Sequence, residues 1–327
     1  MANMEDINEI RFNDNRILLK NNRVKSAILP KVVAELDRSV VVQGNCIIDG
    51  ALFAHTLEIE NGPFEIQGAV FTQLEVHIDQ QTKGSILFKK AVGSADAIVA
   101  LAPGAKTVFL SDINAKQVKL RNSYVGGSIF ADDVELEDCV VIGGVFASRS
   151  IEITNCVLGT FNSPVVRVAK LLHLLLPSAF TVEKIITLPG TTICNLTLAD
   201  LGALFKGTEQ AANSGKIIMN IDSDELKTVL TSDESNQILR SYSVAGKVLA
   251  ADLLDSDKLN NHFLLTAASL GNQLIQTYDL GLDSNNKRIE LTTDRLVAFF
   301  FDLLNGKYEI RTLSGKIKIN DITNVFA

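Results

Sequence analysis

Tryptophan is absent from this 327-residue chain and tyrosine occurs four times, so the aromatic content rests on 16 phenylalanines. Cysteine is sparse: Cys46, Cys139, Cys156 and Cys194 form no CxxC pair and have no histidine at a metal-site spacing. That excludes a recognisable zinc motif or disulfide framework and points to reduced core thiols. All six prolines lie at or before Pro189, which leaves the whole chain after it without a helix breaker. Long apolar runs are missing too. Val165–Leu176 and Leu296–Leu304 are too short to span a bilayer, and the first is interrupted by charge. The opening decapeptide MANMEDINEI is polar and acidic, unlike a secretory signal, so a cytoplasmic protein is expected. A formal net charge of -7 opposes general nucleic-acid binding, which leaves a basic footprint. GxGxxG, a P-loop lysine and HExxH do not occur, so no cofactor and no nucleotide-driven step is expected.

What is present is a repeat. Glycine, one to three small or apolar residues, then Phe recurs at Gly50–Phe53, Gly68–Phe71, Gly84–Phe88, Gly127–Phe130, Gly144–Phe146 and Gly159–Phe161. A looser copy runs from Gly104 to Phe109. Most copies are followed by a polar step and an alternating triplet: Leu57-Glu58-Ile59, Leu74-Glu75-Val76, Val134-Glu135-Leu136 and Ile151-Glu152-Ile153, with Val118-Lys119-Leu120 as a variant. Alternation of period two marks short strands with one face inward. Leu120, Leu136 and Ile153 recur at a nearly constant interval, and Asn122, Asp138 and Asn155 recur at the same one.

Short strands at a fixed period, separated by Gly and Asn/Asp turns, define a β-solenoid of roughly eight coils. Each coil pairs with the next about 4.8 Å away, so equivalent residues stack into ladders. The reading predicts an interior ladder of Phe53, Phe71, Phe88, Phe130, Phe146 and Phe161. Gly50, Gly68, Gly84, Gly127, Gly144 and Gly159 would supply corners, through positive φ or close approach. Cys139 and Cys156 fall at one phase of adjacent coils and are expected to be free thiols. A bulge or loop is expected around Val92–Ala105, and a corner or loop at Gln80–Lys83.

The expected organisation is mainly β: an N-terminal segment over residues 1–37, a β-helix over 38–195 and an α-rich domain over 196–327. In that last domain the spacing predicts helices at Asp200–Phe205, Asp222–Leu230, Glu234–Ala251 and Ser256–Tyr278, with Ser223, Ser232 and Ser256 as caps. A strand at Lys287–Leu291, a helix at Asp294–Leu304 capped by Thr293 and stopped by Gly306, and a terminal strand pair at Tyr308–Leu313 and Lys316–Ile319 follow. Arg11, Arg16, Lys20, Arg23, Lys25 and Lys31 make the first segment basic, a candidate for weak contact with an acidic membrane surface. The alternative is a strand packing on the first coil through Phe12, Ile17, Leu18, Leu19, Val24 and Ile28.

Catalytic chemistry finds little support. His55 and His77 fall at outward positions, His173 in an apolar stretch and His262 in an expected helix. Glu58, Glu75, Glu135 and Glu152 read as the wet exterior of alternating strands rather than as paired catalytic carboxylates, and stacked they would oppose lateral association. Residues 41–52 divide into Val-Val-Gln-Gly-Asn-Cys and Ile-Ile-Asp-Gly-Ala-Leu, a weak similarity to left-handed β-helix acyltransferases that dies out afterwards.

The coil phrase resembles the bactofilin family, whose coils read Gly, polar, Ile/Val, any residue, Ala, two polar residues, then an apolar triplet. Gly127-Ser-Ile-Phe-Ala-Asp-Asp-Val-Glu-Leu136 matches throughout, Gly50–Ile59 follows closely, and Gly144–Ile153 fits with one residue shifted. The resemblance covers about half the chain. It implies a right-handed triangular solenoid that assembles end to end into filaments without nucleotide, often near a membrane. Residues 196–327 depart from the family's short tails and would cap one end. The other end then carries the contact, with Val40, Val41, Val42, Ile47 and Ile48 as candidates on the first coil. The expected partner is the chain itself; the α-rich domain is a candidate site for a protein partner, which would make the chain a binding adaptor.

Overall fold

The computed structural model describes residues 4–10, 16–174, 181–188, 191–195 and, further on, 217–221, 230–231, 241–244, 247–250, 293–305 and 308–312. The chain is mainly β and forms a parallel β-solenoid of about 8 turns. It divides into two compact units: Met1–Val141 with Val145–Ile151, and Ile142–Gly144 with Glu152–Ala327.

In the first unit each coil presents three faces, two of which are joined in one strand at Leu52–Ile59, Val70–Ile78 and Ile129–Glu137, and each face pairs in parallel with its counterpart in the next coil. One face stacks Ile28, Leu52, Val70, Val92, Ile113 and Ile129. A second stacks Ile17, Val40, Leu57, Val76, Ile98, Val118 and Val134. The third stacks Ile7, Val24, Ile48, Ile66, Phe88, Phe109, Val125 and Val141. Apart from Ile7, these side chains are buried and form the core. Burial of each such aliphatic side chain stabilises the coil by about 1.5–3 kcal/mol relative to exposure, and most are β-branched residues suited to strands.

The coil length is not constant. Val118 pairs with Val134 across a short coil, Val92 with Ile113 across a longer one, and Arg23 with Ile47 across one longer still. The ladders tolerate this because extra residues are confined to corners, such as the 3-10 turn Val33–Glu35 and the turn at Gln80-Gln81. In the latter, Thr82 donates its backbone N–H to the Asp79 carbonyl at 3.0 Å and its hydroxyl to the Ile59 carbonyl at 2.8 Å. Of the bulge or loop expected around Val92–Ala105, the structure has the loop, at residues 101–104. Strands Val92–Ser94, Ala97–Ala100 and Ala105–Phe109 keep register there, because the lengthened coil adds residues between strands and not within them.

The Asn/Asp phase seen in the sequence is a set of left-handed corners: φ is 49° at Asn122, 53° at Asp138 and 55° at Asn155. Short polar side chains tolerate this region best. The corner glycines serve closeness more than φ. A Cβ on Gly50 would lie 2.4 Å from the Ala27 nitrogen, and one on Gly127 2.4 Å from the Ser111 carbonyl carbon; among the six predicted corner glycines only Gly84 has a positive φ, 97°. Gly144 lies inside the strand Val140–Leu174.

The solenoid starts before Arg38. Arg16–Lys20 pairs with Ser39–Gln43, and Asn22–Val24 joins Glu5–Ile7 to Cys46–Ile48, so these three strands already build coil. In the second unit, Asn162–Val168 pairs in parallel with Thr181–Thr187, and Leu171–Leu174 with Thr192–Asn195. Thr192–Ile193 then pairs antiparallel with Leu230–Thr231. A helix Thr293–Leu304 follows, burying Val297, Phe300 and Phe301 at helical spacing. Tyr308–Thr312 pairs in parallel with Ile217–Ile221. The helix expected at Glu234–Ala251 is instead the antiparallel pair Ser241–Val244 and Lys247–Ala250, where Tyr and Val at alternate positions favour strand. The helices expected at Asp200–Phe205 and Ser256–Tyr278, most of Asp222–Leu230, and the strands at Lys287–Leu291 and Lys316–Ile319 lie outside the described residues.

Candidate surface of the solenoid

The phenylalanine ladder is real but mostly on the wrong side of the wall. Phe53 stacks on Phe71 at 5.2 Å between centroids, and Phe130 on Phe146 at 5.2 Å. Yet Phe71 and Phe130 are each 42% exposed, and Phe53 and Phe146 are half-buried. The inward positions belong to the preceding residues, Leu52, Val70, Ile129 and Val145. Two apolar neighbours compete for one inward site, and the corner geometry places the smaller aliphatic there. Phe88 and Phe161 are buried as expected. Phe88 sits one parity step later relative to its glycine, and with Phe64 and Phe109 it makes the interior ladder. Phe64 is signalled by the preceding Gly62-Pro63 and by the alternation Phe64-Glu65-Ile66.

Register places one outward residue per coil on this face: Phe53, Phe71, Gly93, Asn114 and Phe130 are consecutive partners, and Phe146 stacks on the last. The result is two aromatic pairs separated by a two-coil gap at Gly93 and Asn114. Beside the gap stand four exposed charges, Lys90, Asp96, Asp112 and Lys116, with Lys116 Nζ 3.9 Å from Asp96 on the adjacent coil.

The outward glutamates do not form a naked carboxylate ladder. Glu58 meets Arg16 at 3.0 Å, Glu135 meets Lys119 at 3.4 Å, Glu152 meets Arg167 at 2.8 Å, and Glu75 meets His77 at 3.2 Å. Except for the His77 pair, these bridges link residues on different strands or coils, so the repulsion expected between them is largely neutralised. Exposed pairs of this kind contribute about 0–1 kcal/mol each. The basic residues near the N-terminus are similarly engaged: Arg23 with Asp49 at 2.9 Å, Lys25 with Asp6 at 2.6 Å, and Lys31 with Glu9. Asp49 holds the Arg23 guanidinium above its ordinary pKa through a hydrogen bond and its charge.

Val40, Val41, Val42 and Ile48 are fully buried, and they pair on both sides along with Ile47. They are second-coil residues, so they cannot form the open end assigned to them. An open corner groove of about 690 Å³ is lined by amides and charges, including Lys20, Asn21, Gln43, Glu60, Asn61 and Lys83. Its carboxylate is already occupied, since Arg16 reaches Glu60 at 3.0 Å and Gln43 donates to it.

His55 contacts Gln73 at 3.3 Å, and no nucleophile or carboxylate joins them among the contacts of the described residues. His173 is buried without a partner for Nδ1, and burial pushes its imidazole down to about 4. His262 lies outside the described residues. Cys46, Cys139 and Cys156 are buried, and the Cys139 and Cys156 thiols donate to the Glu137 and Thr154 carbonyls. Burial pushes the Cys46 thiol up. Among the described residues no group of three metal-type ligands converges, and no helix is long and apolar enough to cross a membrane. No known family model, curated protein or solved structure matches this chain.

Proposed function

We propose that this chain is a structural scaffold that self-associates end to end through its solenoid, without nucleotide. One observation carries the reading: three parallel apolar ladders run coil after coil through the first unit. A terminal coil of such a stack offers backbone donors and acceptors over an apolar cross-section, which is a template for another copy. The open end is formed by Arg16–Lys20, one coil before Val40–Val42, and by Glu5–Ile7, two coils before Ile47–Ile48. Bactofilin-like filaments are the form of assembly that the coil phrase implies, and the segment beyond Asn195 would cap the opposite end.

Electron microscopy of the purified chain without nucleotide tests this, together with Leu19→Lys at the first coil, where Leu19 is buried. Filaments or end-joined dimers that shorten or separate in Leu19→Lys, with the monomer still folded by circular dichroism, support it. A monomeric chain at high concentration overturns it. A second reading, an adaptor that binds a protein partner, is favoured by the exposed Phe71, Leu74 and Phe130 on the side of the solenoid.

A further inference from the structure

We propose that the outer aromatic face of the first unit is a lateral contact between two copies of this chain, related by a two-fold axis lying in the plane of that face. It is independent of the end-to-end contact and uses different residues.

An isologous interface needs a surface that is complementary to itself. This face is so in shape. Along six consecutive coils its outward residues read Phe53, Phe71, Gly93, Asn114, Phe130, Phe146: two aromatics, a two-coil gap, two aromatics. The inner members, Phe71 and Phe130, are equally exposed at 42%, and the outer members are both half-buried. The aromatic spacing is the same from either end, with Gly93 and Asn114 in the gap and exposed Leu29 beyond Phe53.

It is self-complementary in charge as well. Lys90 and Asp96 flank Gly93 before and after the strand, and Asp112 and Lys116 flank Asn114 on the next coil. The four signs alternate as a checkerboard. Turning the face over about the strand direction sets Asp96 against Lys116 of the second copy and Lys90 against Asp112. Turning it about the solenoid axis sets Asp96 against Lys90 of the second copy and Lys116 against Asp112. Either rotation joins opposite charges over matched aromatics. A single-signed or apolar rim would carry no such preference for a second copy over another apolar partner or a lipid surface.

Size sets the strength. Six coils at about 4.8 Å give a stripe roughly 24 Å long. One strand and its corners in width gives on the order of 700 Å² buried in total, well below the ~1,200 Å² of a stable complex. The contact is therefore weak and reversible, and adds to other contacts instead of defining the assembly alone.

Sedimentation velocity of the full chain over a concentration series tests this, with Phe71→Glu, Phe130→Glu, Asp96→Lys and two double swaps. The expected result is a reversible dimer whose dissociation constant rises at least about tenfold in each single variant. One double swap should restore it: Asp96→Lys with Lys116→Asp if the copies are antiparallel, or Asp96→Lys with Lys90→Asp if they are parallel. Unchanged dimerisation in both Phe variants, rescue by neither swap, or Phe-dependent binding to lipid vesicles by a chain that stays monomeric would overturn the proposal.

Discussion

Two phenylalanine ladders run along the same solenoid, one inside the wall and one outside it. Phe88 and Phe109 stack at 4.8 Å with planes 4° apart, fully buried. Phe130 and Phe146 stack at 5.2 Å with planes 11° apart, and Phe130 faces outward, 42% exposed. The stacking geometry is nearly the same because the coil rise imposes it, whichever way a side chain points. Burial is a separate decision, made by parity along each strand. A regular repeat of aromatics therefore proves a ladder but does not say whether that ladder is core or surface.

The contrast predicts an order of effects. Phe88→Ala empties a site packed against Phe64 and Phe109 and should cost about 3–5 kcal/mol in urea denaturation; a nearly neutral result would show that the inner ladder is not closely packed. The same inside–outside difference applies to imidazoles. His173 is buried with its folded pKa lowered to about 4, whereas His77 stands half-exposed beside Glu75. An unfolded chain takes up that proton near pH 6.5 and the folded one only near 4, so stability is whole above pH 6.5 and falls as pH drops towards 4. Wild type should lose about 3 kcal/mol more than His173→Leu over that window, and parallel profiles for the two proteins would refute the burial of His173. At a corner, Gly127→Ala forces a methyl against the Ser111 and Asp112 backbone, with an expected loss of about 1–3 kcal/mol by thermal melting; no loss would mean that the coils approach less closely there. The smallest effect belongs to the outer ladder. Phe130→Ala removes one stacked, half-solvated pair and should cost about 1 kcal/mol; a loss as large as that of Phe88→Ala would erase the distinction between the two ladders.

Much of this was legible beforehand, for local reasons. Asn122, Asp138 and Asn155 recur at one phase because each corner needs a left-handed residue, and few residue types tolerate one. The alternating triplets around Leu57, Val76, Val134 and Ile151 lie on strands, and the helix starting at Thr293 obeys its own spacing. The failures share a different cause. In Leu52-Phe53, Val70-Phe71 and Ile129-Phe130 both residues are apolar, so alternation alone cannot say which is inside. Glu58 and Glu75 share a motif, but a register shift between Ala54 and Thr56 puts His77, not Glu75, opposite Glu58. The early coils are uneven in length and carry long corners, so the alternation in Arg16–Lys20 indicates a strand but not its place in the coil register.

By itself, then, the sequence determined that this protein would wind into stacked coils, where it would turn, and which residue types would stack. Those properties repeat within a single coil and are written in spacing. Only the tertiary structure decided which side of the wall each ladder occupies, which coil stands at the open end, and which cations neutralise which glutamates. These depend on pairings such as Arg16 with Glu58, far apart in the chain, and on corner lengths that shift parity without altering the local pattern. One inserted corner residue exchanges core for surface, and no window of sequence shorter than two coils records it.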